Sequence, residues 1–281
     1  MPTLFIVATP IGNLEDISLR AIRTLCEAKL IAAEDTRKTR RLLATYSIKT
    51  PLTSYYEHNK ITKLDYILGQ LEEGDIALVS EAGTPGISDP GYELIVAAHE
   101  RGIPVVHIPG PSAVTTALAV SGLATDRFTY LGFLPRKTGD RQNLLKSIID
   151  ETNTIVVLEA PHRLLAALKD ILNVLGNRRI SVCRELTKLH EEVFRGSISQ
   201  AIDHFTQPRG EFTLVIEGRA EKKAELTEDI EKQLYGMRQS GVKAKEAIAR
   251  VAGETGISKK ELYRAWLEHT DIPDRLTHRK E

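Results

Sequence analysis

The stretch Leu78-Val79-Ser80-Glu81-Ala82-Gly83-Thr84-Pro85-Gly86-Ile87-Ser88-Asp89-Pro90-Gly91 decides how this chain is read. An apolar-leaning run, Ile76 to Ser80, leads into it like a buried strand. The chain then turns through Gly83, Pro85, Gly86, Pro90 and Gly91, and Leu94, Ile95 and Ala98 follow at helical spacing. Strand, rigid glycine–proline loop and helix together present backbone groups to a ligand at the carboxyl end of an α/β sheet. Glycine permits close approach and positive φ, while proline fixes φ and holds the loop in place. A plain surface turn needs only one or two such residues. The loop lacks the Gly-Lys-Ser/Thr ending of a P-loop, and no G-x-G-x-x-G occurs anywhere in the chain. It carries two acids, Glu81 and Asp89, and no base. A neutral or cationic ligand therefore suits it better than an anionic one.

Upstream of this stretch, Leu4 to Ala8 reads as a buried strand broken by Thr9-Pro10-Ile11-Gly12-Asn13, and Leu19 to Cys26 as a helix capped by Asp16 or Ser18. Leu30 to Ala33 is a strand ending in Glu34-Asp35-Thr36. Arg37-Lys38-Thr39-Arg40-Arg41 then opens a helix that ends near Tyr46. Ile61, Leu64, Leu68 and Leu71 share one helical face. Downstream, Val105 to Ile108 is a strand broken by Pro109-Gly110-Pro111, and Ser112 is placed as the cap of a helix ending near Gly122. Alternating strands and helices predict a mostly parallel sheet covered on both faces. Three of its strand ends carry proline–glycine breaks, and in a parallel sheet those ends converge on one crevice.

Beyond residue 122 the strands Phe128 to Phe133, Thr154 to Leu158, Ile180 to Cys183, Glu192 to Gly196 and Phe212 to Glu217 are short, and some adjoin without a helix between them. That pattern predicts a mixed sheet. Helices are expected over Asp140 to Asp150, Leu164 to Leu175 and from the cap Ser197 to Phe205. After Gly218 no strand-like run remains. Three apolar stripes (Ile230, Leu234, Met237; Ala244, Ala247, Ile248, Val251; Leu262, Tyr263, Trp266, Leu267) give helix, short turn, helix. Lys243, Lys245, Lys259, Lys260 and Arg264 surround the turn. This tail is either a nucleic-acid-binding helix-turn-helix or a small cap packed on the body. The expected organisation is α/β, with domains at 1–122 and 123–220 and a helical extension at 221–281.

Bulk properties narrow the class further. The 281 residues, 42% of them apolar, suffice for two cores. Lys+Arg and Asp+Glu balance at 38 each, so any nucleic-acid surface must be local. Cys26 and Cys183 stand in apolar surroundings, which reads as buried thiols in a reducing compartment and as no metal site. No leader-like or membrane-length apolar run is present, so a cytoplasmic protein without a membrane contact is expected.

The motifs VATPIGNLEDIS (7–18), EDTRKT (34–39), SEAGTPGISDPG (80–91), IPGPSA (108–113), LGFLPR (131–136), EAPHR (159–163) and RELTKLHEE (184–192) carry a resemblance. Taken together, they closely resemble those of the bacterial ribosomal RNA small subunit methyltransferase I family of the tetrapyrrole methylase superfamily. The resemblance implies two α/β domains with S-adenosylmethionine folded in the cleft between them, and a helix-turn-helix-like extension. It also implies 2′-O-methylation of a cytidine ribose in the decoding region of 16S rRNA, in the assembled 30S subunit, by a homodimer. One departure stands out. Many tetrapyrrole methylases carry Gly-Asp-Pro where this chain has Gly83-Thr84-Pro85, which argues against a porphyrin substrate.

By position, the resemblance implies cofactor contacts at Pro10, Gly83, Thr84, Pro85, Ile87, Ser112 and Ala113. From the second domain it implies Glu159, Ala160, Pro161, Glu217 and Gly218. Methyl transfer is an in-line displacement in which positioning alone can supply ~7–11 kcal/mol and a base about 10²–10⁴-fold. Glu81 ranks first as that base, followed by Asp35 and Lys188, with Asp89 and Glu185 also at the crevice. Glu81 is equally suited to accepting amides of its own loop. Arg37, Lys38, Arg40 and Arg41 are the first choice for RNA phosphate contacts, extended by Arg136, Lys137, Arg163 and Arg184. A solvated helix face would present the same four bases. Two rival readings share parts of this pattern: a corrinoid or porphyrin methylase, which needs no basic rim, and a non-catalytic RNA-binding protein, which needs no converging glycine–proline loops.

Overall fold

Strand β4 (Ile76–Val79), the run that leads into the organising loop, is the centre of the first sheet. In this computed structural model, which describes residues 2–220 and 226–268, it lies between β1 (Leu4–Val7) and β2 (Leu30–Ala33). β3 (Leu52–Ser54) and β5 (Val105–Ile108) form the edges, in the order β3-β2-β4-β1-β5, and all neighbours run parallel. Successive side chains point to opposite faces. Leu4, Ile6, Leu30, Ile76 and Leu78 pack against α3 (Lys60–Glu73) and α4 (Tyr92–Glu100). Val7, Ile31, Ala77 and Val79 pack against α1 (Leu19–Glu27) and α2 (Thr36–Thr45). Burial on both faces is why these strands read as continuous apolar runs.

Ser18, one of the two expected caps, accepts from the Ala21 amide at 3.1 Å. Asp16 instead closes a short 3-10 turn, Leu14–Asp16, which the sequence reading did not foresee. Cys26 is exposed, contrary to expectation, because it lies one position past the buried Leu25 on the outer side of α1. Ser112 precedes α5 (Ala113–Ser121) as placed, but its side chain makes no capping bond.

The second sheet contains β6 (Phe128–Phe133), β7 (Thr154–Glu159), β8 (Arg179–Arg184), β9 (Glu192–Ser197) and β10 (Phe212–Ile216), in the order β6-β7-β10-β8-β9. It is mixed, as expected: β6 and β7 are parallel, whereas β10 is antiparallel to β7 and β8, and β8 to β9. One face packs on α6 (Thr138–Ser147), α7 (Leu164–Leu175) and α8 (Ile198–His204) through Leu145, Leu168, Ile171 and Ile198. A reciprocal capping box between Ser197 and Gln200 starts α8. The other face, Val156, Cys183 and Val215, meets Ala117 and Leu118 of α5. The last helix after the parallel sheet thus serves as a wall for the mixed one, and both sheets belong to one compact unit, Met1–Arg219.

The second unit, Ala220–Glu281, contains α9 (Glu228–Gln239), α10 (Ala244–Thr255) and α11 (Lys259–Glu268). Leu234, Ile248, Val251, Leu262 and Trp266 form its core, so the three apolar stripes meet one another, although Tyr263 and Leu267 of the third are exposed. Gly256, in the left-handed region at φ 75°, ends α10 where a side chain would be strained. Lys243, Lys245, Lys259, Lys260 and Arg264 are exposed. The extension read over 221–281 includes residues 221–225 and 269–281, which lie outside the described residues. Among the described residues no helix is long and apolar enough to cross a membrane, and no group of three or more His, Cys, Asp or Glu is placed to hold a metal.

Candidate functional site

The carboxyl ends of the first sheet are tied together by backbone. Thr9, after β1, and Gly83, after β4, exchange two hydrogen bonds of 2.9 Å each. Gly83 makes this turn at φ 80°, a conformation costly for any residue with a side chain. The paired loops border a cavity of about 370 Å³, within the range of small-molecule sites. Its first wall comes from Ile11, Glu34, the loop 81–84, Ile87, Asp89 and residues 112–114. The second sheet supplies Tyr130, Phe133, residues 158–161 and residues 211–213.

The charge on this wall is one-sided. Glu34, Glu81, Asp89, Glu159 and Glu211 line the cavity, and among the described residues no Lys, Arg or His does. Three of these acids are neutralised from outside. Glu81 forms an ion pair with Lys38, Glu159 with Arg163 Nε at 3.2 Å, and Glu211 with Lys188 Nζ at 3.0 Å. Burial raises the Glu159 carboxyl above its usual range although the Ala160 amide and Arg163 oppose it. Burial likewise raises Glu34, with Asp35 adding to it; Glu34 Oε2 accepts the Glu81 amide at 2.9 Å. Asp89 is pushed up to about 6 by burial and by the charge of Glu34, partly offset by the Ser80 hydroxyl. Burial also raises the Tyr130 phenol, whose oxygen lies 2.7 Å from Ser88 Oγ.

Of the expected cofactor residues, Gly83, Thr84, Ile87, Ser112, Ala113, Glu159, Ala160 and Pro161 are on the cavity wall. Pro10 and Pro85 are adjacent to wall residues without lining it. Glu217 and Gly218 are at the wrong end of their strand. β10 runs antiparallel to β7, pairing Phe212 with Glu159 and Ile216 with Ile155, so its amino end reaches the cavity. Glu217 instead faces Arg179 at 3.6 Å, and Gly218 is pressed against the Thr152 backbone. Glu211, Phe212 and Thr213 occupy the position expected for them. The sequence signalled a mixed sheet, but nothing in it fixed the direction of β10.

The expected acid–base residues also separate. Asp35 caps α2, accepting the Arg37 amide at 2.8 Å and the Lys38 amide at 3.2 Å. These bonds hold its carboxyl below the usual range, and it does not line the cavity. Lys188 is off the cavity wall as well, bridging Glu185 at 2.9 Å and Glu211 at 3.0 Å. Burial pulls its pKa down, but the bonds to Glu185 and Glu211 outweigh it and leave the ammonium raised and charged. A charged ammonium cannot accept a proton. Glu81 lines the cavity, tied to Lys38. Glu34 and Tyr130 were missed. Glu34 directly follows an apolar strand at the crevice edge, a signal that was present; the inward face of Tyr130 was not legible within a strand.

Arg37, Arg40 and Arg41 are exposed on α2, with the Arg37 side chain 87% accessible. Lys38 is shared with Glu81. Arg136 and Lys137 are exposed before α6. Arg163 is not part of a basic rim: the short turn Pro161–Arg163 folds its guanidinium onto the Leu134 carbonyl and Glu159. Arg184 is half-buried, donating to the Arg209 carbonyl at 2.8 Å and pairing with Glu192 at 3.1 Å.

Residues 3–202 match the family model of the tetrapyrrole (corrin/porphyrin) methylases. The chain is 48% identical to a ribosomal RNA small subunit methyltransferase I of Halalkalibacterium halodurans, with 93% of each chain aligned. It is 51% identical to one of Thermotoga maritima, over 78% of this chain and all of the relative, and 42% identical to one of Escherichia coli O157:H7, over 94% of each. Among solved structures, diphthine synthase superposes with a TM-score of 0.60 at 14% identity, over 78% of this chain and 90% of that one. The uroporphyrin-III C-methyltransferase of Thermus thermophilus in complex with S-adenosylhomocysteine superposes with a TM-score of 0.56 at 19% identity, over 77% and 97%.

Proposed function

The chain belongs to the ribosomal RNA small subunit methyltransferase I family of the tetrapyrrole methylases, and on that premise we propose that it moves a methyl group from S-adenosylmethionine to the ribose 2′-hydroxyl of a cytidine in the decoding region of 16S rRNA, within the assembled 30S subunit. The observation that carries the cofactor assignment is the acid-lined, base-free cavity between the two sheets. S-adenosylmethionine brings a sulfonium and an ammonium against one carboxylate, a net positive charge, and the acids of the wall fit the two cations; the phosphates of a nucleotide would find no base on it among the described residues.

Once bound, the cofactor supplies an electrophilic methyl group on sulfur. The chain's own part is to hold and exclude. The clamped Thr9–Gly83 backbone keeps the loop 83–87 in one shape for the polar ends of the ligand. Ala113, Val114, Leu158 and Phe212 give an apolar surface that displaces water, which strengthens the pull of the acids. Such positioning is worth ~7–11 kcal/mol in favourable cases. Arg37, Arg40, Arg41, Arg136 and Lys137 form the surface offered to RNA phosphates. These exposed bases, with Thr84 in place of the usual Asp, favour RNA over a tetrapyrrole. The working assembly is proposed to be a cytoplasmic homodimer on family resemblance, with methylase domains at 1–122 and 123–220 and an extension at 221–281. Light scattering of the purified chain tests the dimer.

The direct test incubates the protein and tritiated S-adenosylmethionine separately with unmethylated 30S subunits, free 16S RNA and a porphyrinoid mixture. The expected result is label in 30S-derived RNA, recovered as an alkali-resistant dinucleotide. Label in the porphyrinoid alone would overturn the substrate assignment and leave the fold and cofactor standing.

A further inference from the structure

Of the five acids on the cavity wall, Glu81, Glu159 and Glu211 each have a cationic partner within 4 Å, and among the described residues Glu34 and Asp89 have none. Glu34, at the end of β2, already uses one oxygen on the Glu81 amide. Asp89, in the loop after β4, faces Glu34 from the first sheet, the Ser80 hydroxyl from the end of β4 and the Tyr130 phenol from β6. Lys38, the base whose charge reaches Glu34, is bound to Glu81. A carboxylate with no cation beside it, in a cavity built for a cationic ligand, has its charge free for the chemistry.

We propose that Asp89, with Glu34 set against it, is the catalytic residue that accepts the proton of the acceptor hydroxyl. The inference rests on the methyl transfer proposed above. As the acceptor oxygen gains its bond to the methyl carbon, the carbon–sulfur bond breaks and its electron pair stays on sulfur, which becomes a neutral thioether. The hydroxyl proton passes to an Asp89 oxygen and leaves to water with the product. Burial, with the neighbouring Glu34 charge adding to it, makes Asp89 a stronger base than a free carboxylate while leaving it mostly ionised at neutral pH, the condition in which a general base works best. Glu81, ranked first from the sequence, has its charge committed to Lys38.

The test is a single-turnover methylation series on 30S subunits from pH 5 to 9, with cofactor binding followed by calorimetry. The wild-type rate should rise with pH through an inflection somewhat below about 6, because the bound cationic cofactor favours the ionised Asp89 carboxyl. Asp89→Asn should lower the plateau by about 10²–10⁴-fold and remove the inflection, with S-adenosylmethionine affinity within roughly threefold of wild type, well short of the tenfold that 1.4 kcal/mol represents. Glu34→Gln should move the inflection to lower pH, since Asp89 loses the like charge beside it. Calorimetry gives a readout apart from activity. At pH 6 a cationic ligand should expel a proton from Asp89, seen as a buffer-dependent binding enthalpy that Asp89→Asn abolishes. An Asp89→Asn protein within threefold of the wild-type rate, or one whose whole loss lies in cofactor affinity, overturns the inference and leaves the methyltransferase reading intact. A wild-type protein that labels no RNA overturns both.

Discussion

The Tyr130 phenol oxygen on the second sheet lies 2.7 Å from Ser88 Oγ in the loop after β4, so a hydrogen bond joins elements from the two walls of the cavity. Ser88 reaches it in the left-handed region, at φ 64°. Gly132, at φ 65°, leaves room, since a Cβ there would come 3.0 Å from Ser88 Oγ. Tyr130→Phe removes the bond without changing the packing. A net hydrogen bond is worth about 0.5–1.5 kcal/mol, so S-adenosylmethionine affinity should fall about 2- to 10-fold by calorimetry. Gly132→Ala should cost more, because it strains the backbone and crowds Ser88 together. An unchanged affinity in Tyr130→Phe would show that the bond plays no part in holding the loop.

Asp89 also makes a prediction about stability alone. Its carboxyl is raised to about 6 in the folded protein, against roughly 3.9 in an unfolded chain. Between those values the folded state holds the extra proton, so stability falls as pH rises through the window and the full cost is present above it. Asp89→Asn should therefore melt higher than wild type at pH 7.5 and equally at pH 4. Solvent screening of this partly exposed group reduces the gain to about 1 kcal/mol, or roughly 2–4 °C for a unit of this size. A lower melting temperature at pH 7.5 would sink the assignment of a raised carboxyl.

Arg141 and Asp170, joining α6 to α7, are 5% and 7% exposed, with Nε 2.6 Å from Oδ2. Gln142 Nε2 satisfies the other carboxylate oxygen at 2.9 Å. Arg141→Met leaves a buried charge uncompensated, at a cost of about 3–5 kcal/mol and roughly 10 °C in melting temperature. Replacing both residues, Arg141→Met with Asp170→Leu, should recover most of that loss, because no lone charge remains. Thermal denaturation of the three proteins decides it; equal losses in the single and double variants would mean that the pair is not what holds α6 to α7.

These features were unequally visible in the sequence. The parallel sheet was legible because double burial makes Leu4 to Val7, Leu30 to Ala33 and Ile76 to Val79 unbroken apolar runs, and because Gly83, Pro85 and Gly86 punctuate the loop that β4 enters. Direction in the mixed sheet was not, since an antiparallel strand such as Phe212–Ile216 has the same composition either way round. That one ambiguity moved the expected contact from Phe212 to Glu217. Partnerships between distant charges were equally hidden. The sequence shows Lys38 and Glu81 as a free base and a free acid, and only folding sets one on the other. Arg163 looked like rim for the same reason: whether a base faces solvent or a carbonyl depends on the turn that carries it.

The proposed RNA surface can be separated from structural arginines by salt dependence. Arg37, Arg40 and Arg41 are exposed on α2, and the ion pair of Arg37 with Asp35 at 3.7 Å is solvent-exposed on the arginine side; such a pair contributes about 0–1 kcal/mol. Each substitution to Gln should leave the melting temperature nearly unchanged. Each should also reduce the slope of log affinity for 30S RNA against log salt by about 1, as loss of one phosphate contact requires. Arg163→Gln should do the reverse. Its guanidinium is bound to the Leu134 carbonyl and Glu159, so its removal lowers the melting temperature and leaves the salt slope as it was. Filter binding of purified 30S subunits between 50 and 200 mM salt, about the range over which phosphate contacts dominate, measures the slope directly. If the α2 variants keep the wild-type slope while Lys259→Gln and Lys260→Gln lose it, the phosphate contacts belong to the helical extension and α2 is a solvated face.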